Sequence, residues 1–397
     1  MIKKSIVMPL IILSLTLAGG NSAAAYFTEP GNPAELAVSD SRFELILPVF
    51  GFSAGNNLFN FDNVNADLTT AEAKRDFLAR LDDGEFHGDL ATQLKTGIVI
   101  GHFSAFVRPW FSGVVNLKSG IPQLIFEGYQ AGQSYEVDGS KAEGLAAGSL
   151  DLSYGRTVWR RFDSELSVGL TLHYLHGLAV GQSEVTASEI TVDEWGQAGY
   201  SAEVDSFYGT LDDEGFGGEG YLFDLGLLYQ SQSWSAGLVL KNIGPALNWQ
   251  GLTHQYAVYE GEIIGGPDGP DLPEPDSTTT ETGGAELSTR IPLVVHIYGG
   301  YQLSPKWRLN LGLEKGLKDA WGISTNPLLY TGLEWKPWKS MRLIGNVYSF
   351  RDQLGVETAL QGRVKFLLLQ LAIGWSGGLD PDQATDFHTS LGMGFGF

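Results

Sequence analysis

Thirteen polar side chains share one setting: Lys95, Arg108, Asp151, His173, Asp224, Lys241, His296, Arg308, Glu314, Glu334, Glu357, Arg363 and His388. Each falls within a run whose apolar residues occupy alternate positions. A strand turns successive side chains to opposite faces, so these groups belong to the face that the apolar residues leave. Acids, bases and imidazoles gathered behind an apolar wall can do one of two things. They can pair with one another and fill an interior, or they can line a solute path and select what passes. Nothing points to covalent catalysis. The chain has no Cys, which excludes thiol chemistry, and it lacks H-E-x-x-H and G-x-x-x-x-G-K-[ST]. His102 lies near Ser104 as in part of a lipase pair, but no third residue is placed to orient it. The expectation is no enzyme, no catalytic residue, no cofactor and no metal.

The elements that would position these groups are strands. The last eleven residues separate Phe387, Leu391, Met393, Phe395 and Phe397 (with Thr389) from His388, Ser390, Gly392, Gly394 and Gly396. Similar alternation predicts fourteen strands, at 42–54, 93–103, 105–117, 147–159, 165–178, 219–231, 233–243, 288–303, 305–315, 326–337, 340–350, 355–364, 366–376 and 385–397. In the first of these, Phe43, Leu45, Leu47 and Val49 are expected on one face. Most have the length that a tilted strand needs to cross an outer membrane.

The connections sort by length. Those after even-numbered strands are tight, at Ser104, Arg160–Ser164, Gln232, Ser304, Trp338–Lys339 and Lys365. Those after odd-numbered strands tend to be long, at 55–92, 118–146, 179–218, 244–287 and 316–325, shortening to 351–354 and 377–384. Short turns on one side and long loops on the other is the arrangement of a transmembrane barrel. Trp159, Trp234, Trp307 and Trp338 stand at or beside the short turns, as an interfacial girdle requires. The fold class is therefore all-β, an antiparallel up-and-down transmembrane β-barrel of about fourteen strands with short helices in the loops or lumen. On that wall a charge facing lipid at the midplane costs about 2–4 kcal/mol, which assigns the thirteen polar groups to the lumen. Thr69 and Glu72 predict a capping box for a short helix over 69–81, with Phe77, Leu78 and Leu81 as its apolar stripe packed over a loop. A second helix is expected near 122–129.

Residues 1–25 read as an export signal: Lys3 and Lys4, an apolar core from Ile6 to Leu17, and small residues at Ser22–Ala25. Residues 26–40 form a leader or partial plug, and 41–397 the barrel. Without Lys3 and Lys4 there are 23 basic against 46 acidic residues. Nucleic acid is excluded as a partner, since phosphate contacts need basic clusters. No Lys or Arg occurs between Arg161 and Lys241, and Glu260 to Glu286 carries eight carboxylates and no base. Its Pro, Gly and Thr content predicts a mobile extracellular loop. Such carboxylates could bridge through divalent cations to lipopolysaccharide, although EF-hand spacing is absent.

The final strand, ending on Phe397, resembles the closing strand of bacterial outer-membrane barrels. That resemblance implies recognition of Phe387, Leu391, Met393, Phe395 and Phe397 by the barrel-assembly machinery, and a place in the bacterial outer membrane among its lipid and lipopolysaccharide. Asn32-Pro33-Ala34 resembles the N-P-A turn near the mature start of FadL-type and PorV-like barrels. Phe223–Tyr229 followed by Gly237–Pro245 resembles their recurrent hairpin. Gly55-Asn56-Asn57, Leu68-Thr69 and Leu175–Leu178 look like a related bacterial family of unknown function. The resemblance implies fourteen strands, an N-terminal plug and a conduit for small hydrophobic molecules. The leader is shorter than a full hatch domain. A non-transporting surface or assembly protein, whose acidic loops bind a partner or secreted protein, is the alternative.

Overall fold

The computed structural model describes residues 31–396 apart from 40–41, 129, 195–196, 212, 267–268, 272–275 and 352. The signal segment, the start of the leader and Phe397 lie outside the described residues. Eighteen strands form one antiparallel sheet: β1 (Phe43–Asn56), β2 (Phe86–Ile100), β3 (Phe103–Leu117), β4 (Lys141–Arg161), β5 (Ser164–Val192), β6 (Ala198–Thr210), β7 (Gly217–Gln230), β8 (Trp234–Ile243), β9 (Leu247–Gly266), β10 (Gly269–Asp271), β11 (Asp276–Thr289), β12 (Val294–Ser304), β13 (Trp307–Gly316), β14 (Leu328–Trp338), β15 (Met341–Phe350), β16 (Gln353–Val364), β17 (Leu367–Ser376) and β18 (Asp386–Gly396).

Following the ladders gives a ring. β1 to β5 pair in sequence, then β5 with β7, β7 with β8, β8 with β12, and β12 onward in sequence to β18, which pairs with β1. These ring strands correspond one to one with the fourteen that alternation predicts. The strand total is higher because β6, β9, β10 and β11 rise beyond the rim on the long-loop side, carried by the far end of the 29-residue β5. The loops at 179–218 and 244–287 are therefore largely sheet. Glu260 to Glu286, expected as an irregular loop, contains the end of β9, β10 and most of β11, with Thr278 opposite Val258 and Thr280 opposite Tyr256. β-Branched Thr against Val and Tyr favours a strand even where both faces meet water.

The wall alternates as a bilayer demands. On β17, Leu369, Leu371 and Ile373 are exposed while Leu368, Gln370 and Ala372 are buried; on β18, Leu391 and Met393 face out while His388, Ser390 and Gly392 face in. Trp159, Trp234, Trp307 and Trp338 are exposed near the short turns, and Trp307 stacks on Trp335 with ring centroids 5.7 Å apart. Among the described residues no helix is long and apolar enough to cross a membrane.

Three local expectations need correction. The first short turn is Gly101–His102, with Gly101 at a φ of 57° that a side chain disfavours; Ser104 instead lies inside β3 and is buried. The first helix runs Ala71–Leu78, capped by Thr70, whose hydroxyl accepts from the Ala73 N–H at 3.1 Å, so the box starting at Thr69 does not form. Phe77 and Leu81 do pack over a loop, burying with Leu58 against Phe59 and Phe126, and the second helix is Gly120–Phe126. The third concerns β1. Leu47 and Pro48 have no partner in the register of either β2 or β18, because proline lacks an N–H and the strand bulges there. The extra residue inverts the alternation: Phe43, Leu45 and Phe50 are exposed, whereas Val49 packs against the buried cluster of Leu36, Ile46, Val99, Phe106 and Leu368.

Candidate functional site: the barrel interior

The N-terminal turn is seated inside the ring. Asn32 caps the short helix Pro33–Val38, its side-chain oxygen accepting from the Ala34 N–H at 2.9 Å, and its amide donates to the Leu227 carbonyl of β7 at 2.7 Å. Asn32 and Ala34 are wholly buried. The seat is a row of glycines, Gly155, Gly169 and Gly226, aligned in register across β4, β5 and β7. A Cβ on Gly155 would lie 2.6 Å from the Pro33 carbonyl oxygen, and one on Gly169 or Gly226 would overlap Ala34 or Asn32 outright. The row therefore lets backbone meet backbone. Tyr298 donates to Glu35 at 2.5 Å, and His102 Nδ1 lies 2.9 Å from the Leu36 carbonyl. His102 thus fastens the leader and has no lipase-like geometry with Ser104.

Beside this turn lies a cavity of about 630 Å³. Arg108, His173, Asp224, Lys241, His296 and Glu314 line it, together with Trp110, Leu175, Leu222, Ile291 and Trp321. The polar groups form two chains. Arg108 meets Asp151 at 3.2 Å; Asp151 meets His173 Nδ1 at 2.7 Å; His173 Nε2 meets Asp224 at 3.1 Å. Asp224 also accepts from the Asn242 N–H at 2.8 Å. On the adjoining strands β8, β12, β13 and β14, Lys241 pairs with Glu314 at 2.8 Å, His296 Nδ1 stands 3.9 Å from Glu314, and His296 Nε2 is 3.1 Å from the Tyr330 hydroxyl. Buried charges persist only when paired, and each chain spreads its charge over several hydrogen bonds.

The other seven predicted groups do not all join them. Asp151 is buried behind Arg108 and His173. Lys95 lies 4.6 Å above the Phe106 ring. Glu357 and His388 pair at 3.0 Å, with Asn346 donating to Glu357 at 2.9 Å. Glu334 is held by Lys336 at 2.9 Å and Arg342 at 3.3 Å, and Arg308 bonds Ser235. Arg363 is exposed at the short-turn rim, donating to the Gly396 carbonyl at 2.9 Å. Among the described residues no group of three or more His, Cys, Asp or Glu is placed to hold a metal ion. Alternation passed over Tyr298, Tyr330 and Trp321, which supply hydroxyls and a ring to the cavity. Aromatics on an inner face look the same in sequence as aromatics on an outer one. The glycine row was in principle visible, since Gly inside an apolar strand marks close backbone approach.

A closed antiparallel ring with an apolar exterior, a Trp girdle and a polar interior defines this as a bacterial outer-membrane β-barrel. Residues 33–363 match the Family of unknown function (DUF5723), and the chain belongs to that family. No curated protein matches it. Among solved structures it is similar to the CymD monoaromatic hydrocarbon channel, at 13% identity and a TM-score of 0.52 over 96% of this chain and 98% of that one. It is also similar to a deltaS2 mutant of the TodX monoaromatic hydrocarbon channel (11%, 0.53, 97% and 98%) and to the P. putida toluene transporter TodX (11%, 0.50, 96% and 99%). At these identities the likeness is one of fold.

Proposed function

We propose that the barrel is a conduit for small hydrophobic solutes, with the N-terminal turn as a partial plug. The observation that carries this reading is the internal cavity of about 630 Å³, part polar and part aromatic, floored by the plug. Sites for small ligands have this composition: an apolar lining with a few placed polar groups. The cavity also adjoins the bulge in β1. Glu44 and Gly51 on either side of Leu47–Pro48, and Gln93 on β2, are among its lining residues. A bulge is the weakest point of a ladder, so on this reading an apolar solute would leave sideways into lipid there, without crossing the charged interior. The structural neighbours include channels for monoaromatic hydrocarbons, which agrees with an apolar cargo of this size.

The test is uptake of toluene by liposomes carrying the purified protein. Wild type should admit it faster than protein-free vesicles. Ala91→Trp, which places an indole in the cavity between Ser53 and Ser112, should abolish most of that gain while leaving a heat-modifiable barrel. Uptake no faster than in empty vesicles would end the conduit reading. It would favour the alternative, a surface protein whose acidic extension binds a partner.

A further inference from the structure

The strands beyond the rim continue the inner face of the wall. Leu145 is buried toward the lumen and pairs with Val180, past the bulge that follows Gly177 on β5. Two residues on, Glu143 opposes Gln182, and next Lys141 opposes Glu184. The same face then runs from Glu184 to Asp205, Tyr256 and Thr280 across β5, β6, β9 and β11. A parallel row places Glu189 beside Ser201, Glu260 and Asp276, and Glu203 lies between the rows beside Val258. Six carboxylates thus share the lumen-side face of an extension standing over one end of the barrel. Glu184 faces Asp205 directly and Glu260 faces Asp276, arrangements that cost stability when nothing cationic lies between them. β5, β6, β9 and β11 hold no Lys or Arg at all. Lys141, at the margin, is taken by Glu143 at 3.4 Å.

Rings are set among these acids. His254 stacks on Phe207 with centroids 4.3 Å apart, its Nε2 2.6 Å from Asp205, and Tyr256 donates to Glu203 at 2.5 Å. Aromatic faces backed by carboxylates attract an ammonium group by both its charge and its affinity for π-electrons. The face leads inward. A second cavity, of about 350 Å³, is lined by Lys141, Glu143, Asp319 and Arg351, and it shares Trp321 and Ile323 with the inner one. Its bases are engaged, Lys141 by Glu143 and Arg351 by Asp89 at 3.0 Å. Burial would raise the Asp319 carboxyl, but hydrogen bonds from the Thr325 hydroxyl and N–H and from Ser324 outweigh it and hold the group below the usual carboxylate range. An anionic approach, an antechamber of paired charges and an aromatic threshold at Trp321 follow one another.

Resting on the conduit reading, we infer that this route selects hydrophobic solutes bearing an ammonium group, over neutral analogues and against carboxylates. A surface of one charge sign concentrates counter-charged solutes at a mouth and repels the other sign, and salt weakens both effects. The experiment compares phenethyltrimethylammonium, phenethyl alcohol and phenylpropionate in two assays: uptake by proteoliposomes and equilibrium binding to the protein in nanodiscs. At low salt, wild type should bind and admit the ammonium about tenfold better than the alcohol, and the carboxylate worst. Combining Glu203→Gln, Glu260→Gln and Asp276→Asn should erase that order, as should high salt, with the alcohol as the internal reference. Equal handling of the three solutes by wild type, or an order unchanged in the triple variant, overturns the inference. Preferential ammonium binding without uptake of any solute would uphold the selective face and refute the conduit. Absence of ammonium binding refutes the selective face, whatever the alcohol does.

Discussion

Replacing Gly169 with valine is expected to expel the N-terminal turn while the barrel still forms. The glycine stands in the middle of the row that receives the turn, and an added Cβ would overlap the backbone of Pro33 and Ala34. Neither partner can yield cheaply. Ala34 is tied to Asn32, Asn32 to the Leu227 carbonyl, and Glu35 to Tyr298. Overpacking of this kind costs about 1–3 kcal/mol, which shifts a docked-to-undocked ratio on the order of 10- to 100-fold. Conductance in planar bilayers should rise and the leader should become open to protease. Gly148→Val is the control, because an added Cβ there meets nothing within 4 Å. A Gly169→Val protein with wild-type conductance and a protected leader would show that the turn does not occlude the lumen.

The second large effect concerns the wall. Leu371 on β17 is 47% exposed and Leu317, in a loop beyond the rim, is 59% exposed. For a protein in water both would tolerate arginine alike. In a bilayer, Leu371→Arg should cost about 2–4 kcal/mol if it lies near the midplane, and Leu317→Arg close to nothing. Folded, heat-modifiable protein recovered from the outer membrane should therefore fall severalfold for the first variant and stay constant for the second. Equal recovery would mean that the exposed face of β17 does not meet lipid.

These two sites also mark what the sequence makes legible. Leu367 to Trp375 announces a strand because lipid on one side and a polar interior on the other force alternation residue by residue. Residues 179–192 of β5 carry no such signature. Between the buried Val180 and Val192 both faces of that strand reach water, so Gln182, Ser183, Glu184 and Ser188 satisfy either side and the period of two disappears. The same holds for Thr278 to Thr282 on β11. Pairing, not polarity, builds that part of the sheet, and pairing is not written in one strand alone. Val49 was assigned to the wrong face because Pro48 allows a bulge that a strict period of two cannot register. The interior was half legible. Alternation placed His173, Asp224, Lys241 and Glu314 on the inner face, and an up-and-down order already makes the strands of His173 and Asp224 neighbours, yet which side chains meet depends on a register that no single strand carries. Of the cavity's aromatic share, Tyr298 and Tyr330 follow the alternation of His296 and Glu334, whereas Trp321 lies in a loop and carries no pattern.

Cavity, plug and selective face all require that the first strand meet the last. The chain has no Cys, so a pair introduced at Leu45→Cys and Phe395→Cys, register partners on β1 and β18, reports that contact without interference. Oxidised protein folded in outer membranes should form an intramolecular disulfide in high yield, and the denatured species should migrate as a closed loop. A displaced pair such as Leu45→Cys with Phe387→Cys should not. No disulfide between positions 45 and 395, in protein that is folded and resists detergent at room temperature, would contradict the closed ring.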